Sequence, residues 1–188
     1  MRAGRFVKTV LAVAFFVTLS AATAMAKTNA PALTGDDAIA AKVLHEIRVY
    51  PYYTIWDDVN FRVDNGTVHL TGEVSQPWKK SALTKSIAAI PGVVSLDDEL
   101  KVLPLSPFDD RLRAQVARAI YRDPVLSRYA VQVVPPIHII VDNGHVTLTG
   151  VVNTEMEKNV AGIRASSSMS FGKVINDLRV EQPAPKRN

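Results

Sequence analysis

Residues Val63–Gly72 read VDNGTVHLTG, and residues Val141–Gly150 read VDNGHVTLTG. Continued to Val74 and Val152, the two phrases agree at nine of twelve positions, at a constant offset of 78. Asn-Gly between alternating apolar residues is the strongest short-range signal for a β-hairpin, because a type I′ turn needs positive φ at both central positions. With Asn65-Gly66 as the loop, Val63 faces Val68, Phe61 faces Leu70 and Val59 faces Gly72. In the second phrase Val141 faces Val146, Ile139 faces Leu148 and Ile137 faces Gly150. Every pair in these rows is apolar or glycine, and a one-residue slip would turn the whole set to water. At Gly72 and Gly150 a side chain is expected to meet a packed helix or the opposing backbone. Asn65, Gly66, Gly72, Asn143, Gly144 and Gly150 are therefore read as structural residues of a hairpin written twice.

The repetition extends outward. Before each phrase lies a helical stretch opening with paired acids, Asp36–Ile47 and Asp109–Ile120. Acids at a helix start suit its dipole and its orphan N–H groups. Ile39, Val43, Leu44 and Ile47, and then Leu112, Val116, Ala119 and Ile120, recur at helical spacing. After each phrase comes a second helical stretch, Gln76–Ile90 and Thr154–Ser167, then a glycine (Gly92, Gly172) and a short strand. Each copy reads helix–strand–strand–helix–strand, an α+β unit present twice, and such repeats decide the fold before any single motif does.

The first residues read differently. Arg2, Arg5 and Lys8, an apolar run over Thr9–Ala22 and the pattern Ala24-Met25-Ala26 form the three parts of a secretory signal peptide. The apolar run falls short of the roughly 20 residues of a transmembrane helix. Without the three leader cations, 19 basic residues would face 18 acidic ones, so the sequence pI of 9.4 is no argument for nucleic-acid binding. The chain has no cysteine, which excludes a disulfide framework, thiol chemistry, Cys-ligated zinc and a lipid-modified N-terminal cysteine. The expected organisation is a signal peptide over 1–26, a linker over 27–35, a first domain over 36–103, a proline-containing linker over 104–107, a second domain over 108–182 and a disordered tail over 183–188. A periplasmic location follows from that leader.

The combination of an apolar alternating strand, Asn-Gly-x-Val-x-Leu-x-Gly, a helix and a glycine-led closing strand resembles the BON-domain family. In the first copy it is carried by Val59–Val63, Asn65-Gly66, Val68, Leu70, Gly72 and Pro91-Gly92-Val93-Val94. In the second it is carried by Ile137–Val141, Asn143-Gly144, Val146, Leu148, Gly150 and Phe171-Gly172-Lys173-Val174. The resemblance covers about residues 36–181 and implies two tandem αββαβ domains, each a three-stranded mixed sheet packed against two helices. It implies an exported bacterial envelope protein of the osmotically inducible periplasmic type. It also implies binding to phospholipid or protein surfaces rather than catalysis, with no cofactor and no nucleic acid. A chaperone-like stress protein shielding clients is the alternative, and a hydrolase a weaker one. The copies depart from the family pattern in an aromatic segment over Val49–Asp58 of the first and in Tyr129–Ile140 of the second, where the connection from helix to turn is longer and Pro135-Pro136 cannot donate ladder bonds.

Catalytic signals are sparse. The histidines are His45, His69, His138 and His145. In the inferred hairpin His138 and His145 sit about 13 Å apart at ~3.4 Å per residue, too far to share a metal. They are expected on the exposed strand face, with His145 facing Asp142. Asp57-Asp58 and Asp97-Asp98-Glu99 are expected as solvated loops, and no Gly-rich phosphate loop or metalloprotease motif is present. Two surface features remain. Arg111, Arg118 and Arg122 share one helix face, roughly 140° from the apolar stripe, and suit an anionic membrane surface or an ordinary solvated face. Tyr50, Tyr52, Tyr53 and Trp56 suit a partner interface, or packing under the sheet or between the domains. These seven residues are the candidate lipid- or partner-binding set.

Overall fold

The computed structural model describes residues 35–170 and 172–181. The expected signal peptide, the linker up to Gly35, Phe171 and the tail lie outside the described residues. The first repeat runs α1 (Asp36–Val49), β1 (Asp58–Asp64), β2 (Thr67–Val74), α2 (Pro77–Ala88), β3 (Ser95–Asp98) and β4 (Lys101–Val102). The second runs α3 (Pro107–Tyr121), a 3₁₀ turn over Ser127–Val131, β5 (Ile137–Asp142), β6 (His145–Val152), α4 (Glu155–Ser167), β7 (Val174–Asn176) and β8 (Arg179–Val180).

Both hairpins close in the expected register, with Val59 opposite Gly72 and Ile137 opposite Gly150. Asn65 and Gly66 have φ of 49° and 77°, and Asn143 and Gly144 have 48° and 79°, the type I′ geometry the sequence calls for. The helix-opening acids do more than meet a dipole. Asp36 accepts hydrogen bonds from the Asn65 and Gly66 amides, both at 2.8 Å, and Asp109 accepts from the Gly144 amide at 2.8 Å. The first helix of each repeat is thereby tied to its own hairpin turn, a long-range bond that the local pattern does not disclose.

In each sheet the central strand pairs antiparallel with the first and parallel with the third. The third position is broken into two short pieces, β3 and β4 or β7 and β8, because Leu100 and Leu178 turn inward there at 3% and 1% exposure. The opposing-backbone expectation for the row-end glycines holds. A Cβ on Gly72 would lie 2.1 Å from the Asp58 carbonyl oxygen, and one on Gly150 would lie 1.9 Å from that of Pro136.

Helix starts are locally encoded. Ser106 caps α3 by accepting from the Asp109 amide, and Pro107, placed by sequence in the linker, is instead its first residue. Thr154 and Glu157 form a capping box at α4, a device worth about 1 kcal/mol. Ile39, Val43, Ile47, Leu70, Leu83 and Ile87 anchor the first core. Leu112, Val116, Ile120, Ile139, Leu148 and Ala161 anchor the second. Leu44, expected to face inward, is exposed; α1 buries Ile39, Val43 and Ile47 instead.

Candidate functional site

The repeats meet through the segment Tyr50–Asp57, which leaves α1 and reaches across to the outer edge of β5. The Ile139 amide donates to the Ile55 carbonyl at 2.7 Å, and His138 Nδ1 lies 2.6 Å from the Asp57 carbonyl oxygen. Ile55 and Trp56 pack on the core of the second repeat, while Tyr50 and Tyr53 pack on the core of the first. Tyr53 also places its ring 5.5 Å from that of His138, and burial pushes its hydroxyl up to about 12. Of the four aromatic candidates only Tyr52 is exposed, edge-on to Trp78 at 5.1 Å. The aromatic segment is therefore divided among both cores, the junction and a small exposed pair.

His138 is not the exposed-strand histidine expected from its register. It is largely enclosed by the junction, and burial lowers its pKa, opposed by the Asp57 carbonyl and by the Asp58 and Asp57 charges. His145 does stand opposite Asp142 in the hairpin, but its ring turns to the backbone, with Nδ1 3.2 Å from the Asn143 carbonyl oxygen. His69 does find a partner, Asp97, at 3.0 Å across β2 and β3.

Asp57, expected in a solvated loop, is 1% exposed. Its Oδ2 meets Lys79 Nζ at 2.6 Å, the Thr54 hydroxyl at 2.8 Å and the Thr54 amide at 2.9 Å. Its Oδ1 accepts from the Ser75 amide at 2.7 Å and the Ser75 hydroxyl at 2.8 Å. Burial alone would raise this carboxyl, yet the Lys79 ammonium and the Ser75 and Thr54 donors hold it below the ordinary carboxylate range. Lys79 Nζ also donates to Ser75 Oγ at 2.9 Å. A serine beside a lysine suggests nucleophile and base, but here the lysine is engaged by the Asp57 carboxylate at 2.6 Å and the group is buried. Its role is to lock the junction segment to the start of α2.

The second repeat solves the same problem with opposite charge. At the position 78 residues on from Lys79 stands Glu157, 2% exposed. It accepts from the Tyr129 hydroxyl at 3.0 Å and the Asn153 and Thr154 amides at 3.0 and 2.9 Å, and pairs with Arg128. Each repeat thus pins its helix-to-strand connection on one buried charge at the second helix. The sign differs, so sequence identity between the copies does not reveal the equivalence.

The arginines of α3 are also divided. Arg118 and Arg122 line a shallow hollow of about 360 Å³ between α3 and α4, together with Arg164, Ser167 and Ser168. Arg164 pairs with buried Asp123 at 2.6 Å. Arg118 and Arg122 are exposed and make no side-chain ion pair among the described residues. Arg111 is exposed outside this hollow. Arg113, set apart from the stripe by its phase, is buried and donates to the Val141 carbonyl at 2.9 Å while pairing with Asp110 at 2.6 Å. None of the aromatic candidates lines the hollow. Among the described residues no group of three or more metal-ligating side chains converges.

Comparison with known proteins follows the two repeats. The BON domain profile matches residues 35–104 and again residues 108–182. No curated protein matches the chain. Among solved structures it is similar to the C-terminal domain of CdsD, the structural protein of the type III secretion system of Chlamydia trachomatis. Identity there is 19% over 72% of this chain, with a TM-score of 0.29, and the match spans 62% of that chain. A second CdsD structure is 14% identical over 77% of this chain and 93% of that one, with a TM-score of 0.28. With the profile matching nearly the whole of the described structure, once per repeat, the chain belongs to the BON-domain family as a tandem member.

Proposed function

We propose that this protein is a non-enzymatic component of the bacterial envelope that binds anionic phospholipid surfaces through the α3–α4 face of its second repeat. The observation that carries the reading is the pair Arg118 and Arg122. These two exposed guanidiniums stand without ion-pair partners among the described residues, beside the Ser167 and Ser168 hydroxyls. Guanidinium presents planar donors suited to phosphate oxygens. Arg111 extends the same charge along α3. An envelope setting agrees with the leader-like sequence over 1–26, and we extend the proposal to protection of the envelope under osmotic stress. Peripheral binding agrees with the described helices, none of which is long and apolar enough to cross a membrane.

Vesicle flotation tests the reading. The chain should float with phosphatidylglycerol-containing vesicles and not with phosphatidylcholine alone, and added salt should release it. At about 1 kcal/mol per cation near such a surface, replacing Arg118 and Arg122 by Gln should weaken binding about thirtyfold. Equal, negligible flotation on both vesicle types would count decisively against it.

A further inference from the structure

The contact between the repeats leaves both of its halves available a second time. In an Asn-Gly hairpin the odd-numbered residues of the first strand point their backbone groups away from the partner strand. In β5 that outer edge is covered. The Ile137 carbonyl accepts from the Tyr121 hydroxyl, the Ile139 amide donates to Ile55, and the Val141 carbonyl accepts from Arg113. Beneath this cover Ile139 and Val141 are 0% exposed.

Their counterparts in β1, offset by 78, are Phe61 and Val63. Both are only half-buried, and no hydrogen bond to their outward backbone groups occurs among the described residues. Ala40 occupies the helical position where α3 carries Arg113, so no side chain caps Val63. At Val59 the Tyr53 hydroxyl meets the backbone, as Tyr121 does at Ile137, but from Phe61 to Val63 the first repeat keeps an open strand edge, which folded proteins ordinarily cover.

The second repeat also places a segment before its hairpin, different in sequence. Val133 is the counterpart of Ile55 at the same offset, and it is 103% exposed; Val131 beside it is 86% exposed. The contacts that Ile55 and Asp57 make to β5 use their carbonyl oxygens. Pro135, the counterpart of Asp57, lacks an N–H but keeps its carbonyl, so the prolines leave this bonding pattern intact. On the receiving side Asn60 replaces His138, and its side-chain amide can donate where the imidazole does now.

We propose that the protein self-associates head to tail, the Val131–Pro135 segment of one copy covering the β1 edge of a second copy. The pairing would repeat the contact that Ile55–Asp57 makes on β5. The Phe61 amide donates to the Val133 carbonyl of the neighbouring copy, and the Asn60 side chain to its Pro135 carbonyl. Donor and edge are different surfaces, so the contact is heterologous and propagates until the assembly closes.

Sedimentation velocity of the full chain over a wide concentration range is the first test, with the weight-average mass expected to rise with concentration. Val133→Glu removes an exposed side chain and leaves both cores untouched, so it should keep its unfolding midpoint and lose the association. Because the chain contains no cysteine, single-thiol variants supply the second test. Val133→Cys mixed with Asn60→Cys should give a covalent heterodimer with a short bis-maleimide. Val133→Cys mixed with Ser95→Cys, on the opposite edge of the first sheet, should give far less. A constant monomer mass, an association indifferent to Val133→Glu, or equal cross-linking of the two mixtures would each overturn the proposal.

Discussion

Asp57→Asn isolates the charge that holds the junction segment. The change preserves shape and leaves the Lys79 ammonium without its carboxylate, at a position where Lys79 is 5% exposed. Stripping one partner from a buried ion pair costs about 3–5 kcal/mol. At about 4 °C per kcal/mol or more for a domain of this size, the unfolding midpoint should fall by about 12 °C at least. Lys79→Met should cost less, about 2 kcal/mol, because Asp57 would keep its four bonds from Thr54 and Ser75. The double variant should be less damaged than the sum of the singles by about 1 kcal/mol or more, since the second change removes the charge stranded by the first. Thermal unfolding followed by tryptophan fluorescence is well placed to read this. The only two tryptophans, Trp56 and Trp78, are sequence neighbours of the pair. A midpoint drop under about 4 °C for Asp57→Asn, or singles that add within ~0.5 kcal/mol, would refute the assignment of this network as the lock.

Two further outcomes follow from the junction and the hairpins. Gly150→Ala should cost more than an ordinary glycine replacement, several kcal/mol, because φ is +109° and the new methyl would sit against the Pro136 carbonyl; a midpoint equal to the parent's would contradict the close approach seen there. His138 is held neutral by burial against Tyr53, with the Asp57 and Asp58 charges opposing. Its folded pKa thus lies below the unfolded value of about 6.5. Below that value the unfolded chain takes up a proton that the folded chain resists, so the stability contributed by the neutral ring is present above pH ~6.5 and lost as pH falls through it. Urea unfolding between about pH 7.5 and 5 should show a slope for the parent that His138→Gln lacks; parallel curves would exclude a buried neutral imidazole.

How far the sequence could be read depended on the range of each interaction. The turn at Asn65-Gly66 is a local steric fact, so the register of both hairpins followed from alternation alone. The helix spans came out within a few residues for the same reason. The burial of Asp57 is not legible locally, because its partner Lys79 lies 22 residues ahead and neither residue type predicts burial. The arginine stripe was legible as a helical phase. Its division was not, because Arg164 and Asp123, which complete the hollow around Arg118 and Arg122, come from elsewhere in the second repeat.

The repeated phrase by itself determined the unit, its αββαβ order and the number of copies, since hairpin sterics and apolar periodicity act within a few residues. Only the tertiary structure decided what the unshared segments do. It divided the aromatic stretch between two cores and a junction, turned His138 inward, and gave β5 a cover that β1 lacks. Those outcomes depend on which surfaces meet across dozens of residues, where burial can reverse the ordinary behaviour of a charge or an imidazole.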